Sequence, residues 1–185
     1  MPRIVAGVAK GRRLRAPEDG TRPTSDRARE GLFNSLAATM TFDGARVLDL
    51  FAGTGAVGLE ALSRGAAEAV LVESSRRAAD ILRRNVDTVG LPGARIAVMP
   101  AARFLAEPPP APFDLVFADP PYAYGDDLLR DLVAALGGEG WLAPRAHVVI
   151  ERSSRGAPVE WVADRITPER EKRYGEAVLW YGRAR

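Results

Sequence analysis

Cysteine is absent from this chain of 185 residues, which excludes disulfides and cysteine-ligated metals and makes a cytoplasmic setting the simplest fit. Lysine is almost absent as well: Lys10 and Lys172 stand alone, and every other cation is arginine. No apolar run approaches the roughly 18–20 residues that would cross a membrane. The opening MPRIVAGVAKGRR has too short an apolar stretch for a secretory signal. There is no internal repeat and no low-complexity tract. The length therefore fits one domain, with at most a small appendage. Hydrophobic residues make up 46% of the chain, enough to build a packed core.

The net charge is only +2, but it is unevenly spread. Residues 1–30 carry eight Lys/Arg against four Asp/Glu, residues 31–150 ten against fourteen, and residues 151–185 eight against six. A mildly acidic body is thus flanked by basic ends. A basic N-terminal arm is the footprint expected for nucleic acid, although a solvated charged surface would look the same.

Read in order, Arg3–Ala9 and Arg12–Arg15 flank Lys10-Gly11 and suggest a hairpin whose second arm is rich in arginine. Residues 16–23, with Pro17, Gly20 and Pro23, read as loop. Thr24-Ser25-Asp26 offers a helix N-cap, and Leu32, Phe33, Leu36 and Ala37 give helical spacing over about 26–39. RVLDL, 46–50, reads as a buried strand, and 56–64 as a helix. Residues 69–73 (AVLVE) form a second strand, 76–89 a helix, and 95–99 a short third strand. FDLVFA, 113–118, is a fourth strand. A helix over 127–136 and a strand at 147–150 follow. The tail offers strands at 159–162 and 177–181, with the charged stretch 165–174 between them. Strands alternating with helices argue for a parallel α/β sheet. His147, Trp141, Trp161 and Trp180 are assigned to packing.

Two strand ends carry chemistry. After the fourth strand comes Asp119-Pro120-Pro121-Tyr122. Proline ends the strand, removes donors and pushes Asp119 into an extended conformation. A carboxylate and a rigid carbonyl can each accept one N–H of an exocyclic amine, while Tyr122 stacks on the ring, worth roughly 1–3 kcal/mol per base. The plainer reading is a strand followed by a Pro-Pro turn. After the first strand, Gly53, Gly55 and Gly58 fit G-x-G-x-x-G, and Glu73 lies 20 residues beyond Gly53, placed to accept ribose hydroxyls. This pattern also fits a nicotinamide dehydrogenase. Asp49 argues against that reading, because its charge would repel a pyrophosphate but attract the ammonium and sulfonium of S-adenosylmethionine. Otherwise Asp49 is a strand-end acid that caps the turn.

The two motifs, VLDLFAGTGAVGLEALSRGA and FDLVFADPPY, resemble those of class I methyltransferases acting on exocyclic amines. The opening RIVAGVAKGRRLRAP…TRPTSDRAREGLFNSL resembles the RsmD family of bacterial enzymes, which methylate guanine N2 at position 966 of 16S rRNA. The likeness runs from residue 3 to about 150. It implies a Rossmann-like α/β fold: a seven-stranded, mostly parallel sheet with helices on both faces, a final antiparallel hairpin and an N-terminal β-hairpin. Residues 1–23 would form a basic RNA-contacting hairpin and loop, and 24–185 the methyltransferase domain. The implied cofactor is S-adenosylmethionine, held by Asp49, Phe51, Gly53, Thr54, Gly55, Glu73 and Ser74. The implied catalytic set is Asp119, Pro120, Pro121 and Tyr122. Arg12, Arg13, Arg22, Thr24 and Arg27 would lie against RNA, and Asp26 belongs to the same RPT-x-DR stretch. The expected partner is 16S rRNA or a small-subunit assembly particle, met by a monomer without metal or membrane. One departure stands out: residues 99–105 offer no acid or amide, leaving backbone groups to read the adenine. The motifs alone do not separate guanine N2 from DNA adenine N6, cytosine N4 or a protein glutamine. A noncatalytic RNA-binding module is the rival of another class.

Overall fold

The computed structural model describes residues 1–17 and 25–185, so Arg22, Thr24 and the expected boundary at 23/24 lie outside the described residues. After an N-terminal arm the elements run α1 (Asp26–Ala37), β1 (Arg46–Asp49), α2 (Ala56–Ser63), β2 (Glu68–Val72), α3 (Arg76–Val89), β3 (Ala94–Ala97), α4 (Ala101–Phe104), β4 (Phe113–Ala118), α5 (Asp126–Leu136), β5 (Leu142–Ser153), β6 (Ile166–Tyr174) and β7 (Ala177–Ala184). The seven strands form one sheet in the order β3-β2-β1-β4-β5-β7-β6. Pairing is parallel from β3 to β5, and β7 runs antiparallel to both its neighbours. The expected seven-stranded, Rossmann-like architecture is therefore present.

Local chemistry sets the element ends. The Ser25 hydroxyl accepts from the Ala28 amide at 3.1 Å, and the Ser75 hydroxyl accepts from Ala78 at 3.3 Å, each capping a helix start. Gly90, at φ 61, closes α3 in the left-handed conformation that glycine tolerates best. Strand residues alternate between two cores. Val47, Leu71, Leu115, Phe117 and Leu179 pack with α1, α2 and α3 on one face. Leu48, Val70, Val116, Val148 and Ile150 pack with α4 and α5 on the other. Helices thus cover both faces, and the sequence order reverses between β1 and β4. Crevices at such reversals, beyond the carboxyl ends of the strands, are where ligands bind in open α/β sheets.

The N-terminal arm folds back on itself, but with a single antiparallel bridge, Arg3 to Arg13, rather than a ribbon. Its pairing is short because its backbone donors are used elsewhere. The Val5 and Ala6 amides donate to the Glu60 carboxylate at 2.7 and 2.9 Å, and Ala9 donates to the Ser63 hydroxyl at 2.9 Å. Ile4, Ala9 and Leu14 are buried in the core shared with α1 and α2. Glu60 and Arg29, both fully buried, face each other at 3.9 Å, and Glu60 also pairs with Arg64 at 2.9 Å. Buried charges persist only when paired in this way.

Three expectations in the tail and middle are corrected. Residues 159–162 are not a strand; Val159 and Trp161 instead pack as coil against the α5-side core. The charged stretch is the strand instead, as edge strand β6, most of whose charged side chains are exposed and guard an open edge. The strand expected at 147–150 extends over Leu142–Ser153. A four-residue helix, α4, follows β3 in a stretch to which the sequence assigned no element.

Candidate active site

The carboxyl ends of β1, β2 and β4 open into one cleft of about 1440 Å³, lined among others by Asp49, Gly53, Glu73, Asp119, Pro120 and Tyr122. The two motifs 60–70 residues apart in sequence therefore share a single cavity. Phe51, Thr54, Ser74 and Pro121 line it as well.

Asp49 ends β1 and is 1% exposed. Its Oδ2 accepts from the Gly58 amide at 3.3 Å, whereas Oδ1 is buried and completes no hydrogen bond. Burial raises its pKa from 3.8 to about 7, with Glu73 adding to the rise and the Gly58 and Phe51 amides opposing it. A buried carboxylate oxygen without a donor, opening on a cleft, fits a cationic group such as the ammonium of S-adenosylmethionine. Glu73, just beyond β2, accepts from Gly53 at 2.9 Å and from Ser75 at 2.8 Å. These two amides fix the carboxylate at the cleft wall, and each oxygen keeps lone pairs for a ligand hydroxyl.

The three glycines divide their work, which the spacing did not show. A Cβ on Gly55 would overlap Leu82, and one on Gly58 would overlap Leu71, so these two allow α2 to approach its neighbours. At Gly53, φ is +52 and a Cβ would meet nothing within 4 Å, so the open space there is available to a ligand. Asn85 was not singled out from the sequence. It is fully buried on α3, donates to Thr54 O at 2.8 Å, and exchanges bonds with the Arg15 amide and carbonyl at 2.7 and 3.0 Å. It ties the arm and the glycine loop to one side chain. Beyond β3 the cleft is lined by Pro100, Ala101 and Ala102, with Ile81 of α3, without an acid or amide among them.

At β4, Pro120 is buried while Tyr122 is 85% exposed. Tyr124 is the ring that packs: it meets Phe51 edge-on at 5.2 Å, joining the loop after β4 to the loop after β1. Burial raises its pKa. Arg152, from the end of β5, donates to Tyr124 O at 3.2 Å and to Asp126 at 2.6 Å, bracketing the end of the same loop. Tyr124 carried no sequence signal beyond proximity to the DPPY stretch, and Arg152, 30 residues beyond Tyr122, carried none.

Arg13 and Arg27 are exposed on the arm and on α1. Arg12 is exposed too, but its guanidinium donates to Val89 O, the last carbonyl of α3, which gives it a capping role. His147 is buried, lies 3.2 Å from the Thr39 hydroxyl, and has its pKa lowered to about 4 chiefly by burial. Among the described residues no group of three or more His, Asp or Glu is placed to hold a metal ion, and no helix is long and apolar enough to cross a membrane.

Residues 2–183 match the family described as conserved hypothetical protein 95. The chain is 44% identical over 150 residues to the ribosomal RNA small subunit methyltransferase D of Escherichia coli K12, covering 80% of this chain and 73% of that protein. It is 35% identical over 171 residues to the protein of the same name from Haemophilus influenzae, covering 90% and 83%. A solved Escherichia coli structure described as a candidate methyltransferase, yhhF, superposes with a TM-score of 0.86 at 37% identity, covering 98% of this chain and 97% of that one.

Proposed function

This chain belongs to the family described as conserved hypothetical protein 95, and from that premise we propose that it is an S-adenosylmethionine-dependent methyltransferase of small-subunit rRNA, acting on the exocyclic N2 of guanine at the 966-type position. Relatives at 44% and 35% identity bear the name ribosomal RNA small subunit methyltransferase D. The observation that carries the reading is the shared cleft, into which Glu73 and Gly53 open from one side and Asp119 and Pro120 from the other.

S-adenosylmethionine supplies an activated methyl group. The chain's own residues do the rest. Glu73 and the open backbone at Gly53 hold the nucleoside end of the cofactor, and Asp49 meets its ammonium. Asp119 and the Pro120 carbonyl accept the two N–H bonds of the guanine amine and aim the nitrogen into the cleft. Positioning of this kind supplies roughly 7–11 kcal/mol of barrier lowering. Asp119 need not be a strong base, because the amine sheds its proton easily once it becomes a cation. The target base must be unpaired or flipped out to reach such a pocket. Arg13 on the arm and Arg27 on α1 are exposed and meet RNA in this reading, whereas Arg12 is tied to the last carbonyl of α3, at the end of that helix away from the cleft. The same reading carries with it a cytoplasmic enzyme that works as a monomer.

Tritiated-methyl transfer onto separated 16S rRNA, assembly particles and small subunits, followed by nucleoside analysis, tests this reading. N2-methylguanosine in one of these substrates is the expected product. Label in adenine, cytosine or protein would replace the acceptor, and no label with intact cofactor binding would favour a noncatalytic RNA-binding module.

A further inference from the structure

A second groove, between α1 and β6, is used by none of the assignments above. It holds about 390 Å³ and is lined by Gly31, Asn34 and Ser35 of α1 and by Arg170, Lys172 and Tyr174 of β6. Tyr174 also lines the main cleft, so the two spaces meet at its ring.

The groove is sorted by charge. On β6, Arg170, Lys172 and Tyr174 stand opposite Tyr181, Leu179 and Ala177 of β7. Tyr181 and Leu179 belong to the core on the α1 face. Glu171 and Arg173 stand opposite Trp180 and Val178 and so project to the other face. Glu169 falls in the irregularity between Pro168 and Arg170. Strand alternation therefore turns two cations to the groove, and the Glu169 carboxylate, shared between Arg170 at 3.9 Å and Arg183 at 3.1 Å, offsets Arg170 in part. The walls are also built for the purpose. Gly31 sits inside a helix, where glycine costs roughly 0.5–1 kcal/mol relative to alanine, yet a Cβ there would overlap the Tyr174 hydroxyl. Arg170 is held by the Ser35 hydroxyl at 2.8 Å and lies over the Tyr181 ring at 4.6 Å, while Asn34 and Lys172 are exposed.

We propose that this groove carries the backbone of the single-stranded rRNA that flanks the target guanine. Arg170 and Lys172 meet phosphates, and Asn34 hydrogen-bonds a ribose hydroxyl. The assignment rests on the rRNA-methyltransferase reading. A strand that turns one base into the main cleft runs on past Tyr174 into a channel of donors of the right sign. Asn34, Ser35, Thr39, Arg170 and Lys172 line the groove, with no large aliphatic side chain of the kind that anchors a protein partner.

The test is binding of the full chain to deproteinised 16S rRNA and to small subunits, at several salt concentrations, beside methyl transfer and cofactor titration. Lys172→Glu is expected to weaken rRNA binding about tenfold, and Lys172→Ala to reduce the slope of log affinity against log salt by about 0.7. Arg173→Glu, next in the chain but on the other face, is expected to change affinity less than about twofold, because an exposed charge outside the contact is largely screened. Asn34→Ala gives a smaller loss from the opposite wall. Cofactor affinity stays unchanged in all four. Equal losses at 172 and 173 would overturn the groove in favour of diffuse attraction. A loss confined to subunits would assign the groove to a ribosomal protein instead. If the unaltered chain methylates rRNA and Lys172→Glu binds like it, only this inference fails. If the unaltered chain neither binds nor methylates rRNA, the parent reading fails.

Discussion

Replacing Asp49 by asparagine tests the cofactor site through its proton. Asp49 is buried, and its pKa is raised from 3.8 to about 7. The folded state therefore binds more protons than the unfolded state between those values, and stability contributed at this site falls as pH rises through that window. At about 1.4 kcal/mol per pH unit, the full effect is up to about 4 kcal/mol. His147 works in the opposite sense. Its pKa is lowered from 6.5 to about 4, so the stability it contributes is present above 6.5 and is lost as pH falls towards 4. The readout is accordingly the difference between Asp49→Asn and the unaltered chain, in which His147 cancels. By urea denaturation, the variant should gain on the parent by up to about 4 kcal/mol between pH 4 and pH 8. The cofactor arm of the experiment has the other sign. Near pH 7 the parent should release about half a proton on binding S-adenosylmethionine, because the ligand's ammonium favours the carboxylate. Titration calorimetry in two buffers of different ionisation enthalpy measures this. Asp49→Asn should bind more weakly and lose that release. A flat stability difference across pH, or equal proton release in the two proteins, would refute the argument.

Four further outcomes follow from the geometry. Arg152→Met should lower kcat about 10–100-fold with cofactor affinity unchanged, because the acceptor loop loses two anchors and small misplacements are costly to transfer; a parallel fall in cofactor affinity by calorimetry would contradict this, and Arg152→Lys should recover part of the rate. Asn85→Ala should cost about 3 kcal/mol in chemical denaturation, at about 1 kcal/mol for each of its three buried hydrogen bonds, and an effect below 1 kcal/mol would remove its anchoring role. Gly58→Ala should cost about 1–3 kcal/mol by overpacking against Leu71, whereas Gly53→Ala should lose cofactor affinity out of proportion to its stability; thermal melts beside cofactor titrations separate the two. Asp119→Ala should abolish methyl transfer while calorimetric cofactor binding stays nearly intact, and undiminished transfer would take Asp119 out of the mechanism.

What the sequence determined by itself was everything written in short-range pattern. Periods of two and about 3.6 placed the helices and most of the strands, proline marked the end of β4, and the spacing from Gly53 to Glu73 set two candidate ligand groups one strand apart. These features depend on neighbours in the chain, so they are legible without a fold. Tertiary structure decided what depends on distant partners. It showed that Gly55 and Gly58 serve packing while Gly53 faces open space, because Leu82 and Leu71 come from other elements. It brought Tyr124 onto Phe51, Arg152 onto Asp126, and the arm onto Glu60 across 54–55 residues. It also turned a charged tail segment into the edge strand β6 while leaving the more apolar 159–162 as coil. An edge strand favours charge on its solvent side, and its partner β7 supplies the pairing that local hydrophobicity does not reveal.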